Sequence, residues 1–320
     1  MPGKFEFKVE PIAPFLFTPH LGRFTLRGRP TPALWYGEEG LLRLAVRVSR
    51  GFAGVEALFS GEPWRPAVKL VVYAESEGIA GEARRILASM IRSDFNYRNF
   101  LEAVGGIDDR LYNLALHYQG LRPGRCMSVY AALLDSVVKQ RVALRIALAV
   151  YSRLVEKYGA RLEVGSSTFH WHPLPERLAG AGDEELRRLG LTRVKARALR
   201  EIALAELEGR LPSVSEVARD PEGVARELSM LYGVGPWTAQ LAVAMVHPNF
   251  PLGPLSDLAV SRGLALVLGL GEAEARSVAR KILELLPDYG GLVLYLAAYE
   301  YERSKQCRRR GHCIEPRVDR

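Results

Sequence analysis

Cysteine is scarce, with three residues in 320: Cys126, Cys307 and Cys313. That density excludes a disulfide-stapled secreted scaffold and agrees with a reducing compartment. No apolar run reaches the roughly 18 residues of a membrane-spanning helix. Met1 to Arg23 lacks the basic start and apolar stretch of a secretory signal. Internal repeats and low-complexity linkers are also missing. The expected setting is intracellular and off the membrane, with the chain acting as a monomer. Acidic residues are fewer than basic ones, 36 against 44, for a net charge of +8. This balance admits a polyanionic partner without requiring one. The apolar content of 48% suffices for a sizeable core, and the length suits two or three structural units.

What is present divides the chain by its periodicity. To about residue 80, apolar and polar residues alternate: Phe5, Phe7, Val9, then Leu42, Leu44, Val46, Val48, then Lys69 to Tyr73. Turn clusters Gly28-Arg29-Pro30 and Gly37-Glu38-Glu39-Gly40 punctuate them, so antiparallel strands are expected. From Gly81 the spacing changes to three and four, and the rest reads as helical. Ser128 is placed to cap a helix carrying Val129, Leu133 and Val137. Leu186 to Ile202 and Val217 to Tyr232 supply further amphipathic stretches. The fold class is therefore mainly α with an N-terminal antiparallel β domain.

Two helical patterns meet at Leu231-Tyr232-Gly233-Val234-Gly235-Pro236-Trp237-Thr238-Ala239. Gly233 suits the left-handed residue after a helix, and Pro236 the first turn of the next. A tight Gly-x-Gly hairpin leaves backbone N–H groups free at the second helix's start, where a phosphate can approach Gly233, Val234 and Gly235 closely. Standing alone, the motif reads more readily as an ordinary helical hairpin. Twenty positions beyond Trp237, Pro254-Leu255-Ser256-Asp257 precedes another helix, Leu258 to Leu268. Asp257 alone would be a helix cap.

Together these segments resemble the helix-hairpin-helix DNA glycosylases, whose Gly-x-Gly hairpin is followed, after a buried helix and a Pro-containing loop, by an essential Asp. Phe95 to Phe100, Tyr118-Gln119-Gly120-Leu121-Arg122, Ser136 to Gln140 and Leu189 to Ala196 extend the likeness over most of the chain. They look most like 3-methyladenine DNA glycosylase II, with 8-oxoguanine DNA glycosylase also similar. The resemblance implies a β domain over 1–80, a hairpin-bearing helical domain over 111–249, and a second helical domain from 81–110 plus 250–320. The substrate cleft would lie between the helical domains.

It also implies roles. The partner is double-stranded DNA containing a damaged base, which is swung from the stack into a pocket. Asp257 would be the catalytic carboxylate, facing the positive charge that builds on the sugar as the C1′–N bond breaks. Relatives that also nick the strand carry a Lys where this chain has Trp237, so base release without strand cleavage is expected. Trp237 would line the base pocket or, on the ordinary reading, pack in the core. The family's second pocket aromatic is replaced by Leu241, with Tyr295 and Tyr299 the candidates to substitute. Gln140, Arg141, Gly233, Val234, Gly235 and Thr238 are the expected DNA contacts, with Arg141 as the wedge entering the vacated stack.

No cofactor and no metal are expected. Endonuclease III, another relative, holds an iron–sulfur cluster with four cysteines near its C-terminus, but this tail has Cys307 and Cys313 only and reads as basic, with a disulfide. Alkylated purines are the expected lesions. Glycosylases for 8-oxoguanine, hypoxanthine or uracil remain alternatives, as does a non-catalytic binder of DNA structure.

Overall fold

The computed structural model describes residues 2–310, with side chains through Arg308. Strands β1 (Gly3–Val9), β2 (Leu34–Tyr36), β3 (Leu41–Val48), β4 (Gly51–Ser60) and β5 (Ala67–Ala74) form one antiparallel sheet in the order β1-β5-β4-β3-β2. Register aligns Leu44 with Val55 and Val55 with Val72, so the period-two pattern collects the β-branched side chains on a buried face. Helix α1 (Thr18–Phe24) crosses between β1 and β2, within the stretch read as strands alone. Helix α2 (Glu77–Met90) sets Ala80, Ala83 and Leu87 into this same core. Residues 81–90 therefore cover the sheet rather than begin the helical layer. An apolar stripe of small residues at three- and four-residue spacing lets the helix approach closely and shield the face.

A second core is built from α3 (Tyr97–Gly105), α4 (Asp109–His117), α13 (Leu258–Leu268), α14 (Glu272–Leu285) and α15 (Gly290–Arg310). Leu111, Leu114 and Ala115 place α4 here, although its residues fall in the range assigned to the hairpin domain. Helices α13 and α15 cross at Gly263, where a Cβ would stand 2.0 Å from the Ala297 carbonyl oxygen. Only a glycine in the middle of α13 permits so close a crossing.

The third core gathers α5 (Val129–Lys139), α6 (Leu144–Tyr158), α7 (Pro175–Ala179), α8 (Asp183–Arg188), α9 (Arg193–Leu207), α10 (Val214–Arg219), α11 (Pro221–Leu228) and α12 (Pro236–Val246). Asp220-Pro221 divides the expected single helix over 217–232, because proline cannot donate to the preceding turn. The helical stretch is also interrupted by a hairpin, β6 (Gly159–Val164) and β7 (Ser167–Pro173). Phe169 of β7 packs on the N-terminal sheet at Gly54, where a Cβ would meet its ring at 2.9 Å. Arg122 ties the parts together: fully buried, it donates to the carbonyls of Gly120, Arg92, Phe95 and Pro14.

Candidate active site

The joint between α11 and α12 is a tight turn. Gly233 has φ +74°, and a Cβ there would lie 2.6 Å from Ala198 Cβ, so both conformation and space demand glycine. Gly235 is exposed and meets nothing within 4 Å, leaving open space beside the backbone. Pro236 occupies the first turn of α12, whose leading N–H groups have no intrahelical acceptor. Val234 is buried at 3% exposure and anchors the loop in the third core.

Gln140 holds this turn from the end of α5. Its Nε2 donates to the Gly233 carbonyl at 2.8 Å and to Thr238 Oγ1 at 2.9 Å. Thr238 is 2% exposed, so the side chains of Gln140 and Thr238 serve the hairpin from within. The next residue, Arg141, is exposed with φ +52°, and α6 begins only at Leu144. The continuous helical face of Val138, Val142 and Ile146 is thus broken at Arg141, and Val142 and Ile146 are left exposed.

Asp257 is the N-cap of α13. Oδ1 accepts the N–H groups of Ala259 at 2.8 Å and Val260 at 3.3 Å. Its other oxygen, Oδ2, accepts the indole N–H of Trp237 at 2.9 Å. The carboxylate therefore has a fixed orientation, set by a helix start on one side and by the hairpin helix on the other. Cap and candidate reactive group are the same side chain.

A cavity of about 250 Å³, walled mainly by apolar side chains, is bounded by the same hairpin helix. Helix α12 contributes Leu241 and Met245, which continue the stripe of Trp237 at four-residue intervals. Trp237 stands one turn nearer the helix start on that stripe, and neither it nor Asp257 is among the wall residues. Helix α5 contributes Ala131, Asp135 and Lys139 at the same spacing, with Lys139 Nζ 2.5 Å from Asp135 Oδ2. The N-terminal segment adds Phe17, His20 and Phe24, and α15 adds Tyr295. His20 Nδ1 lies 3.0 Å from the Tyr295 hydroxyl, and burial, with Lys139, Arg23 and Arg92 nearby, pushes the pKa of His20 down to about 3. Tyr151 and His172, with hydroxyl and Nδ1 2.6 Å apart, also belong to the lining.

Tyr299 stands outside that lining, packed edge-on against Tyr118 with Arg23 over its ring at 5.2 Å. Lys195 donates to the carbonyls of Val138 and Gln140 at 2.9 and 2.7 Å, closing the end of α5. Among the described residues no group of His, Cys, Asp and Glu is arranged to hold a metal ion. No helix among them is long and apolar enough to cross a membrane. Cys313 and His312 of the tail lie outside the described residues. Sequence reading missed His20 and the Asp135–Lys139 pair as wall residues. Helical spacing from Lys139 back to Ala131 carries a signal for the pair, whereas His20 is 275 positions from the tyrosine it meets.

Residues 134–288 match the family described as HhH-GPD superfamily base excision DNA repair protein. The chain carries an HhH-GPD domain. That domain spans the end of α5, the hairpin, Trp237 and Asp257. Over 164 residues the chain is 31% identical to DNA-3-methyladenine glycosylase 2 of Escherichia coli K12, covering 51% of this chain and 56% of that relative. The match thus spans little more than half the relative's length. The solved 3-methyladenine DNA-glycosylase from Archaeoglobus fulgidus superposes with a TM-score of 0.75 at 25% identity, covering 93% of this chain and 99% of that one. The fold is shared with an 8-oxoguanine glycosylase/lyase of Clostridium acetobutylicum, TM-score 0.68 at 16% identity, covering 93% and 98%. The β domain ahead of the helices lies within the reach of both superpositions.

Proposed function

We propose that the chain is a monofunctional DNA N-glycosylase that releases alkylated purines during base excision repair. The observation that carries this reading is the Asp257 carboxylate, oriented by two backbone N–H groups and by the indole of Trp237, whose helix also walls a base-sized cavity through Leu241 and Met245. The names of the E. coli and Archaeoglobus relatives point to the same substrate class.

On this reading the hairpin grips backbone phosphate through the free N–H groups at the start of α12, while Arg141 enters the stack where the damaged base has left. The extruded base passes Trp237 and enters the cavity. The C1′–N bond breaks with its electron pair on the base, and the positive charge left on the sugar faces Asp257. Water adds to C1′ and its proton is lost, giving an abasic site and a free base. A fixed carboxylate needs no reorganisation as the charge appears, which is why its three hydrogen bonds matter. An alkylated purine is already a good leaving group, so one carboxylate without a partnering general acid suffices.

Strand cleavage by an enzyme amine is not expected. An indole cannot form a Schiff base, Lys195 is committed to two carbonyls, and Lys139 is paired with Asp135. The test is a panel of duplexes carrying 3-methyladenine, 7-methylguanine, 8-oxoguanine, hypoxanthine or uracil, read for free base, for strand breaks before and after hot alkali, and for borohydride-trapped adducts. Alkylated purines should be released fastest, with strands breaking only after alkali and no adduct. Binding without release of any base would leave a DNA-structure binder. Efficient trapping would require a lyase.

A further inference from the structure

The cavity wall holds a polar pair that the reaction above does not use. Its hydrogens can be assigned. A backbone N–H can only donate, and the Gly124 N–H lies 3.1 Å from His20 Nε2. Nε2 is therefore the bare, accepting nitrogen, and the neutral ring carries its hydrogen on Nδ1. That hydrogen points at the Tyr295 hydroxyl oxygen 3.0 Å away. Tyr295 is thereby the acceptor in this contact. Its own O–H hydrogen has no other partner among the described residues, and both side chains line the cavity. Burial keeps His20 neutral, consistent with that assignment.

We propose that Tyr295 is a specificity-determining residue that donates its phenolic hydrogen to an acceptor on the edge of the extruded base, with His20 as the positioning residue that sets this polarity. The ligand class is a base presenting a carbonyl oxygen or an unsubstituted ring nitrogen to the Tyr295 hydroxyl. The proposal rests on the glycosylase reading and deepens it. When a neutral base leaves, the electron pair of the C1′–N bond stays on it and spreads to those acceptor atoms, so a donor there strengthens as the bond breaks. A cationic alkylated base departs neutral and gains less from the same donor. The donor therefore widens the range of the pocket toward neutral bases.

Single-turnover release is measured for the parent, Tyr295→Phe and His20→Phe on matched duplexes containing hypoxanthine or 7-methylguanine. Phe keeps the ring of Tyr295 and removes only the hydroxyl. Tyr295→Phe is expected to slow both, with the loss on hypoxanthine at least about fivefold greater than that on 7-methylguanine, by analogy with the loss of one donor to developing negative charge. His20→Phe should shift the same ratio in the same direction. Because each ratio is taken within one protein preparation, a partly unfolded variant does not mimic the result. Equal losses on the two bases, or a parent that releases 7-methylguanine but no hypoxanthine, would overturn the proposal. A parent that releases neither base, nor any other of the panel, would instead remove the glycosylase reading itself.

Discussion

Trp237 reaches Asp257 through its indole N–H, 2.9 Å from Oδ2, and this single contact decides what the tryptophan does. The pocket-wall and core-packing readings both treated the ring as an apolar surface, whereas its polar edge is the part with a specific partner. Trp237→Phe keeps most of the ring and removes that donor. Base release should then fall about tenfold with little change in melting temperature, the size expected for one hydrogen bond to a charged group. Parent-like single-turnover release by the Phe variant would show that the N–H does not orient the carboxylate. His20 and His172 make a second prediction. Burial lowers their pKa values to about 3 and about 4, from a usual 6.5. Protons therefore bind the unfolded chain first as pH falls, so the stability contributed by the neutral rings is full above 6.5 and is lost on the way down to 3 or 4. Melting temperature should already drop between pH 6.5 and about 5, above the range where ordinary carboxylates titrate. A flat profile in that window would mean that neither ring stays neutral in the fold.

At the scale of elements, α5, the hairpin and α12 behave as one unit, joined by Gln140. Replacing Gln140 with Leu leaves the Gly233 carbonyl and the buried Thr238 hydroxyl without their donor, and should cost about 1–3 kcal/mol of stability. Binding to damaged and undamaged duplex should weaken together, since the turn that presents backbone N–H groups loosens. Chemical denaturation and salt-matched binding assays check both, and a loss confined to damaged DNA would place Gln140 at the lesion instead. The hairpin itself was legible in the residues: Gly233 with its positive φ, Pro236 in the first turn, and α12 ending at His247 follow directly from local backbone chemistry. The break at Arg141 was not, because Val138, Val142 and Ile146 continue a helical face through it, and nothing local signals a residue with φ +52°. Hairpin β6–β7 was hidden for a related reason. Its pairing is supported by Phe169 docking on a sheet a hundred residues away, which helical or strand periodicity within the segment does not report.

The whole molecule explains why the cavity was the least legible part. Its walls include Phe17 and His20 of the N-terminal segment, Lys139 of α5, His172 of β7, Leu241 of α12 and Tyr295 of α15, so stretches distant in sequence must all fold before it exists. Asp257 was accessible because it combines a local cap signature with fixed spacing from the hairpin, whereas its hydrogen bond to Trp237 joins two helices that local sequence does not pair. In the proposed reaction this one carboxylate stabilises the sugar cation. Asp257→Asn tests it: the amide oxygen can still cap Ala259 and Val260, but its NH₂ group then faces the Trp237 N–H, donor against donor, so a melting temperature a few degrees lower is expected. The measurement is single-turnover release of an alkylated purine from duplex DNA by the folded variant beside the parent, with DNA affinity determined in the same buffer. Release should fall to the uncatalysed rate, with affinity equal to the parent's or tighter. Parent-like release by a folded, DNA-binding Asp257→Asn protein would contradict it.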